Sequence, residues 1–213
     1  MRVLAAFRSL LIVSFFVNAT ALGDTATDYL SKGVAEAKGG HLQSALSYLD
    51  KAIALDPRLA AAYFARGLAR QSDKDARGAI ADYSKAIELK PDYFQAYDSR
   101  GIAEAALSDF DSAISDFSKA IKLDPKNARA YSNRGLAKFA GGDLRGALSD
   151  YDNAITLDPK SYEPYVNRAV VEARTGDKER ATSDFCRAIE LSPNAQALIK
   201  ERHYGIEDKA CKP

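Results

Sequence analysis

The chain has 213 residues, and 46% of them are apolar, which is enough to bury a core of normal size. Its 30 basic and 29 acidic residues leave a formal net charge of +1, and no stretch of sequence concentrates positive charge. This balance disfavours nucleic-acid binding, because proteins that bind nucleic acid carry a basic stripe along one face.

Residues 1–21 have the pattern of a secretory signal peptide. Arg2 and Arg8 supply a positive start, the nine-residue run SLLIVSFFV follows, and a small-residue cleavage site ends at Ala21. We expect cleavage after Ala21, with Gly23 as the alternative. An uncleaved anchor is disfavoured, because a bilayer span needs about 20 apolar residues. The mature protein is therefore expected to be periplasmic or secreted, without a membrane span.

A period of 34 residues runs through most of the chain. Five of the seven prolines keep this spacing: Pro57, Pro91, Pro125, Pro159 and Pro193. So do a tyrosine series (Tyr29, Tyr63, Tyr97, Tyr131, Tyr165) and a small-residue series (Gly33, Gly67, Gly101, Gly135, Ala169). Small residues where two helices must cross closely, followed by a proline that ends the second helix, indicate a helical hairpin.

Each copy of the period predicts two helices joined by a short polar turn. In the first copy, capping residues precede a helix that extends to about Lys38, and Gly39-Gly40 turns the chain into a second helix from about Leu42 to Leu55. The same plan predicts helices at about 60–72 and 76–89, 94–107 and 110–123, 128–140 and 144–157, and 162–174 and 178–191. After Pro193 the periodicity changes, and one capping helix with a polar outer face is expected to end the stack.

At these residues the chain resembles the tetratricopeptide repeat (TPR) family, which has a 34-residue period and a similar order of aromatic, small, alanine and proline positions. The resemblance covers Ala26 to Ala195, although the frequent tryptophan of the family is tyrosine in every copy. It implies an all-α fold, an α-solenoid of five helix-turn-helix repeats. The expected divisions are a lead at 22–25, repeats at 26–59, 60–93, 94–127, 128–161 and 162–195, and a capping helix and tail at 196–213.

Four arginines are each followed sixteen residues later by an aspartate: Arg66 and Asp82, Arg100 and Asp116, Arg134 and Asp150, and Arg168 and Asp184. In the first copy both members change together, to Lys32 and Tyr48, which indicates a contact between the two helices of each hairpin. The arginines could line an anion site or form partly buried ion pairs. We favour the ion pairs, because an arginine bonded to a carboxylate is no longer free for a ligand.

A second charged series alternates in sign from one copy to the next: Glu36, Arg70, Glu104, Lys138 and Glu172. Equivalent residues on neighbouring first helices lie about 10 Å apart at the backbone, within reach of long side chains. We expect these residues to set the register between repeats. A simple solvated face is the alternative.

The family resemblance implies that the concave face, lined by the first helix of each repeat, holds an extended peptide or a partner helix. Carried over residue by residue, the candidate partner-binding residues are Leu30, Phe64, Asp98, Gln71, Ser132, Asn133, Phe139, Asn167 and Arg174. Phe64, Asp98 and Phe139 are the strongest candidates, because they differ from their counterparts in the other copies. A second row is expected to pack in the core rather than face the groove: Val34, Leu68, Ile102, Leu136 and Val170.

The two cysteines, Cys186 and Cys211, would lie in an oxidising compartment after secretion, where a disulfide persists. A disulfide would hold the tail against the last repeat. Two separate thiols are the alternative, because the sequence does not show how close the two Cα atoms come.

Chemistry-bearing motifs are missing from the sequence: it has no metal-ligand spacing, no glycine-rich phosphate loop and no nucleophile beside a base. We therefore expect no catalysis, no metal and no cofactor. The pattern favours a scaffold or adaptor, a monomer or weak homo-oligomer, that binds a protein or peptide partner. The alternative is a structural, self-associating spacer of a cell-envelope complex.

Overall fold

The computed structural model describes residues 24–192 together with Ala195 and Cys211. Ten α-helices lie within these residues: α1 (Ala26–Lys38), α2 (Leu42–Leu55), α3 (Ala60–Ser72), α4 (Ala76–Leu89), α5 (Phe94–Ala106), α6 (Phe110–Leu123), α7 (Ala128–Ala140), α8 (Leu144–Leu157), α9 (Glu163–Thr175) and α10 (Lys178–Leu191). The helix bounds agree with the predicted ones to within one residue, and the predicted all-α fold class is confirmed. The predicted signal peptide and, apart from Cys211, the capping helix and tail at 196–213 lie outside the described residues.

Local signals define the turn inside each hairpin. From the second hairpin on, the side chain of an aspartate caps the second helix by accepting a hydrogen bond from a backbone N–H in its first turn: Asp75, Asp109, Asp143 and Asp177. One residue before each of these caps, the backbone takes a positive φ, at Lys74, Ser108, Gly142 and Gly176. Each turn is therefore tight and directs the second helix back along the first.

The helices form two layers. Each helix packs against its neighbours in sequence, and the odd-numbered helices also contact one another, α1 with α3 and so on to α9. Within the described part of the chain, no contact of this kind joins two even-numbered helices. The odd-numbered helices therefore lie closer together and form the inner, concave layer of the solenoid.

A glycine facing a large side chain determines how closely each of the first four hairpins closes. A Cβ atom on Gly67 would lie only 2.5 Å from Cε1 of Tyr83, and a Cβ on Gly101 would lie 2.9 Å from Cε1 of Phe117. Gly33 meets Leu49 and Gly135 meets Tyr151 in the same way. The predicted close helix crossing at the glycine series is confirmed. The large partner on the second helix is a feature that the sequence analysis missed.

The buried hydroxyl groups of Tyr83 and Tyr151 differ in their partners. Tyr83 donates a hydrogen bond of 2.6 Å to Oε1 of Gln71, whereas the Tyr151 hydroxyl has no hydrogen-bond partner among the described residues. Both side chains are fully buried, and burial raises the pKa of each phenol. The hydroxyl of Tyr151 therefore loses its solvation without compensation.

Phenylalanine substitutions at these two tyrosines are expected to have opposite effects. Tyr83→Phe removes a satisfied hydrogen bond and should lower the free energy of unfolding by about 1 kcal/mol. Tyr151→Phe removes an unsatisfied buried group and should leave that free energy unchanged or raise it by up to about 1 kcal/mol. Urea denaturation of the two variants measures the difference, and an equal loss in both would contradict the assignment.

All four arginines pair with their predicted aspartates. In each pair, the Nε and Nη2 atoms of the arginine donate to the two carboxylate oxygens of the aspartate on the second helix, at 2.6 to 3.0 Å. The aspartates are buried, with Asp82 only 3% exposed. This geometry is that of a bidentate ion pair, in which the guanidinium is occupied by the protein itself.

The same guanidinium groups also join neighbouring hairpins. Each Nη1 atom donates to the second helix of the preceding hairpin, to Asp50, Ser84, Ser118 or Asp152, at 2.5 to 3.0 Å. Each guanidinium lies 5.6 to 5.8 Å from the ring of a residue in the tyrosine series. One arginine therefore links three helices, and this contact connects successive repeats.

The second charged series does not connect repeats, so that prediction is wrong. Arg70 and Lys138 each lie 2.8 Å from the buried aspartate of their own hairpin, Asp82 and Asp150. Glu104 also contacts its own hairpin rather than a neighbouring one, since it lies 3.8 Å from Arg100 of its own helix. Within residues 24–192, no ion pair joins two members of the series. The reason is that this face of the first helix lies over the second helix of its own hairpin.

At the C-terminal end, Cys186 of α10 forms a disulfide with Cys211, with the two Cα atoms 5.1 Å apart. The bridge ties the tail to the last hairpin at that point. Among residues 24–192, no helix has both the length and the apolar content needed to cross a bilayer.

Candidate groove on the concave face

Three adjoining pockets lie along the inner helices. The apolar pocket, about 380 Å³, lies between α5 and α7, and the amide pocket, about 500 Å³, lies between α3 and α5. The polar pocket, about 370 Å³, lies between α7 and α9. Ile102 lines the first two, Arg129 the second and third, and Asn133 the first and third. The shared residues make the three pockets one continuous groove.

Apart from Asn133, the described side chains that line the apolar pocket are apolar. Phe117, itself 1% exposed, lies at its base, and Ile102 and Leu136 form opposite walls. Leu136 is 50% exposed, and Leu68 in the adjoining amide pocket is 42% exposed. The expectation that this second row packs in the core is wrong for these two leucines, because they face the groove. Exposed leucines that line a concave site suit an apolar side chain of a partner.

Asp98 lies beneath the groove rather than at its surface. Its side chain is 1% exposed and accepts hydrogen bonds from Nη2 of Arg129 at 2.8 Å and from Nδ2 of Asn133 at 3.1 Å. The prediction that Asp98 contacts a partner is therefore corrected: a carboxylate buried this deeply serves to orient its two neighbours. The Arg129 side chain remains 70% exposed.

Five of the other predicted groove residues line the pockets. Phe64 and Gln71 line the amide pocket, and Ser132, Asn133 and Asn167 line the polar pocket. Phe64 is also packed on aromatic rings, with its centroid 4.8 Å from that of Tyr93. The structure places these five residues along the groove.

The remaining three predicted residues are not among those that line the three pockets. Leu30 is partly buried against the core around Leu49. Phe139 packs against a cluster that includes Tyr151, and the guanidinium of Arg174 lies 5.5 Å from the Phe139 ring. Phe139 is therefore largely a packing residue, and truncating it would disturb the hairpin as well as any surface.

The groove carries few charged groups and no arrangement of ligands for a metal ion. In the described residues, no group of three or more His, Cys, Asp or Glu side chains lies close enough to hold a metal. The charged side chains that line the three pockets are Arg129, Asp158 and Glu163. Such a surface is suited to contact with a polypeptide through apolar side chains and amide groups.

Stacked helical hairpins with a groove along the inner helices define an α-solenoid of the helical-repeat class. The tetratricopeptide repeat family model matches residues 30–94 and 133–196, and a TPR repeat model matches residues 101–140. The chain belongs to the tetratricopeptide repeat family.

Several solved structures have a similar fold. MamA (41-end) from Desulfovibrio magneticus RS-1 is 23% identical with a TM-score of 0.74, covering 80% of this chain and 97% of that one. YrrB, described as a TPR protein with an unusual peptide-binding site, is 22% identical with a TM-score of 0.69, covering 83% and 91%. At these identities the likeness establishes the fold alone. No curated protein sequence matches this chain.

Proposed function

We propose that this protein is a scaffold or adaptor that binds a protein or peptide partner in the groove and carries out no catalysis. The observation that carries the proposal is the pair of exposed leucines, Leu68 and Leu136, on the walls of a continuous concave groove. Removing such leucines from water on binding is favourable, and a few anchors of this kind account for most of the affinity of an interface. YrrB, which has a similar fold, is described as having a peptide-binding site.

We propose further that the protein acts outside the cytoplasm, in the periplasm or as a secreted protein. The proposal rests on the signal-peptide pattern of residues 1–21 and is supported by the Cys186–Cys211 disulfide. Disulfides persist in oxidising compartments and are rare in a reducing cytosol. Cell fractionation with an antibody against the chain tests the location, and recovery in the cytoplasm would reject it.

Replacing both groove leucines by aspartate is expected to abolish partner binding. In the Leu68→Asp/Leu136→Asp variant, a partner that enters the groove would bury the two new aspartate charges without a counter-ion. The affinity of the protein for this partner should therefore fall at least about 30-fold. The thermal midpoint should change little, because both leucines are at least 42% exposed. Cross-linking in cells, followed by purification and mass spectrometry, measures which proteins are captured by the wild type and by the variant.

The matched control replaces two exposed leucines on outer helices, Leu55 and Leu157, by aspartate. Leu55 is 57% exposed and Leu157 is 39% exposed, and they end α2 and α8. The control should retain every partner that the groove variant loses. Equal capture by all three proteins would reject the groove, and capture of nothing but the chain itself would favour a self-associating spacer.

A further inference from the structure

The hairpins fall into two kinds according to what surrounds the buried aspartate on the second helix. In α3–α4, Asp82 receives two cations, Arg66 and Arg70, and in α7–α8, Asp150 receives Arg134 and Lys138. In α5–α6 and α9–α10, the position of the second cation is taken by a glutamate, Glu104 or Glu172. The carboxylates of Asp116 and Asp184 therefore have one arginine each and a second carboxyl group nearby.

Glu104 is the better defined of the two glutamates. Its side chain is 13% exposed, and its Oε1 atom lies 3.8 Å from Nε of Arg100. That Nε is already bonded to Oδ2 of Asp116 at 2.6 Å, while Nη2 is bonded to Oδ1 at 2.8 Å. The Oε2 atom of Glu104 is buried and has no hydrogen-bond partner among the described residues. Two carboxyl groups thus compete for one guanidinium, and one of them has an oxygen atom that needs a proton or a donor.

Glu172 shares part of this arrangement in the last hairpin. Its side chain is 4% exposed, its Oε1 atom lies 3.7 Å from Nε of Arg180, and its Oε2 atom likewise has no partner among the described residues. Arg168 donates to both oxygens of the facing Asp184. Both glutamates therefore have a buried oxygen atom without a partner among the described residues, but Glu172 lies near a second arginine, Arg180, whereas Glu104 shares Arg100 with Asp116.

We propose that Glu104 binds a proton and donates it in a hydrogen bond to Asp116, and that Glu172 holds a proton beside Asp184, so that these two hairpins are closed most firmly at acidic pH. The proton comes from water and returns to water when the glutamate ionises. Ionisation of Glu104 places two negative charges beside Arg100 and should loosen the contact between α5 and α6. This inference does not depend on the groove having a partner.

The charged groups that act on Glu104 are Arg100, Asp109 and Asp116, and they lie on the two helices of its own hairpin and their connecting turn. Burial, followed by the negative charge of Asp116, raises the pKa of Glu104 to about 7, with Asp109 adding to the effect and Arg100 opposing it. The cations at the equivalent position of the neighbouring hairpins, Arg70 and Lys138, are bonded to their own aspartates. Burial and Asp184 also raise the pKa of Glu172, against the opposing charges of Arg168 and Arg180.

The direction of the pH dependence follows from these shifts. The ordinary pKa of glutamate is 4.5, so between pH 4.5 and about 7 the folded protein holds a proton on Glu104 that the unfolded chain has lost. Stability from this site is therefore fully present below pH 4.5 and is lost as the pH rises through about 7.

Glu104 and Asp116 lie directly behind the groove. Ala105 follows Glu104 on α5, Phe117 follows Asp116 on α6, and both line the apolar pocket. A change in the closure of α5–α6 would therefore also change the shape of that pocket. Asp82 and Asp150 each pair with a second cation, Arg70 or Lys138, at the position that Glu104 and Glu172 occupy in their hairpins. The proposed pH dependence is therefore confined to the two hairpins with a glutamate at this position.

A glutamine at position 104 tests the proposal, because its amide can donate the same hydrogen bond at every pH. The thermal midpoint of the whole protein is measured at pH 5 and pH 8 for the wild type, Glu104→Gln and Glu104→Gln/Glu172→Gln. The wild-type midpoint should fall between pH 5 and pH 8. Glu104→Gln should reduce that fall by at least about 3 °C, and the double variant should reduce it further. The control Glu88→Gln changes the same charge at a side chain that is 66% exposed, and it should keep the wild-type fall.

Carboxyl ¹³C NMR of the wild-type protein provides a second measurement that does not depend on any variant folding. We expect the side-chain carboxyl of Glu104 to titrate well above the ordinary glutamate range. An unchanged fall in midpoint in Glu104→Gln would overturn the proposal. A Glu104 carboxyl that titrates near pH 4.5 would also overturn it.

Discussion

Asp82→Ala is expected to lower the free energy of unfolding by about 3 kcal/mol or more, because it removes one side of a buried ion pair. Asp82 is 3% exposed and accepts hydrogen bonds from Arg66 and Arg70. Its loss would leave both guanidinium groups without their carboxylate in a position that is only 17% exposed at Arg66 and 30% at Arg70. Urea denaturation measures the loss.

Asp50→Ala is the matched control for Asp82→Ala, since Asp50 binds the same arginine. Its carboxylate lies 2.7 Å from Nη1 of Arg66, but its side chain is 60% exposed. An ion pair that water reaches is worth less than about 1 kcal/mol, so this variant should be close to the wild type. Equal losses in the two variants would show that burial does not decide the strength of these contacts.

Phe117→Ala is expected to lower the free energy of unfolding by about 3 to 5 kcal/mol, the usual cost of removing a buried aromatic ring. Phe117 is 1% exposed, faces Gly101 across the hairpin and packs with Ala113 and Ala137. Gly101, Ala113 and Ala137 are too small to fill the cavity that the ring leaves, although Ile102 and Ile114 also pack against this cluster. The base of the apolar pocket would open into this cavity.

Phe110→Ala provides the control for Phe117→Ala, because Phe110 lines the same pocket from the first turn of α6 but is only partly buried. Its removal should cost clearly less, on the order of 1 kcal/mol for partial burial. Denaturation of both variants gives the comparison. A loss at Phe110 as large as that at Phe117 would mean that the core of this hairpin extends further into the groove than the burial indicates.

The four hairpin Arg–Asp pairs and the apolar groove residues occupy different sides of the inner helices. The arginines, the tyrosines and the buried aspartates join each inner helix to the outer ones, whereas Leu68, Ile102 and Leu136 lie on the face that lines the pockets. Substitutions of these three apolar residues should therefore leave the contacts of the four hairpin arginines intact. The apolar residues of the groove can therefore be changed without altering the contacts that hold the hairpins together.

The helices, their bounds and the hairpin plan followed from the sequence because each signal is local or repeats within the chain. Capping residues such as Thr25 and the stop at each recurring proline act over three or four residues. The joint change of the Arg–Asp pair to Lys32 and Tyr48 in one copy revealed a contact sixteen residues away, because five copies provide an internal comparison. The predicted pairing and the observed pairing agree at all four arginines.

Contacts that depend on how hairpins stack could not be derived in this way. The bond from Arg66 back to Asp50 joins two hairpins, and nothing in the spacing distinguishes it from a contact inside one. The charged series at Arg70 was assigned to the wrong neighbour for the same reason, since the face of a helix that meets the next helix depends on the crossing angle. The exposure of Leu136 and the burial of Asp98 are likewise products of stacking.

The sequence by itself determined that the chain is a stack of five helical hairpins, because helix propensity, capping and the 34-residue period are written in neighbouring residues. Only the tertiary structure decided which side chains face the groove. A leucine at helical spacing has the same pattern whether it packs in the core or lines a concave surface. The difference arises when α5 and α7 come together and leave Leu136 half exposed, a result of packing between residues far apart in sequence.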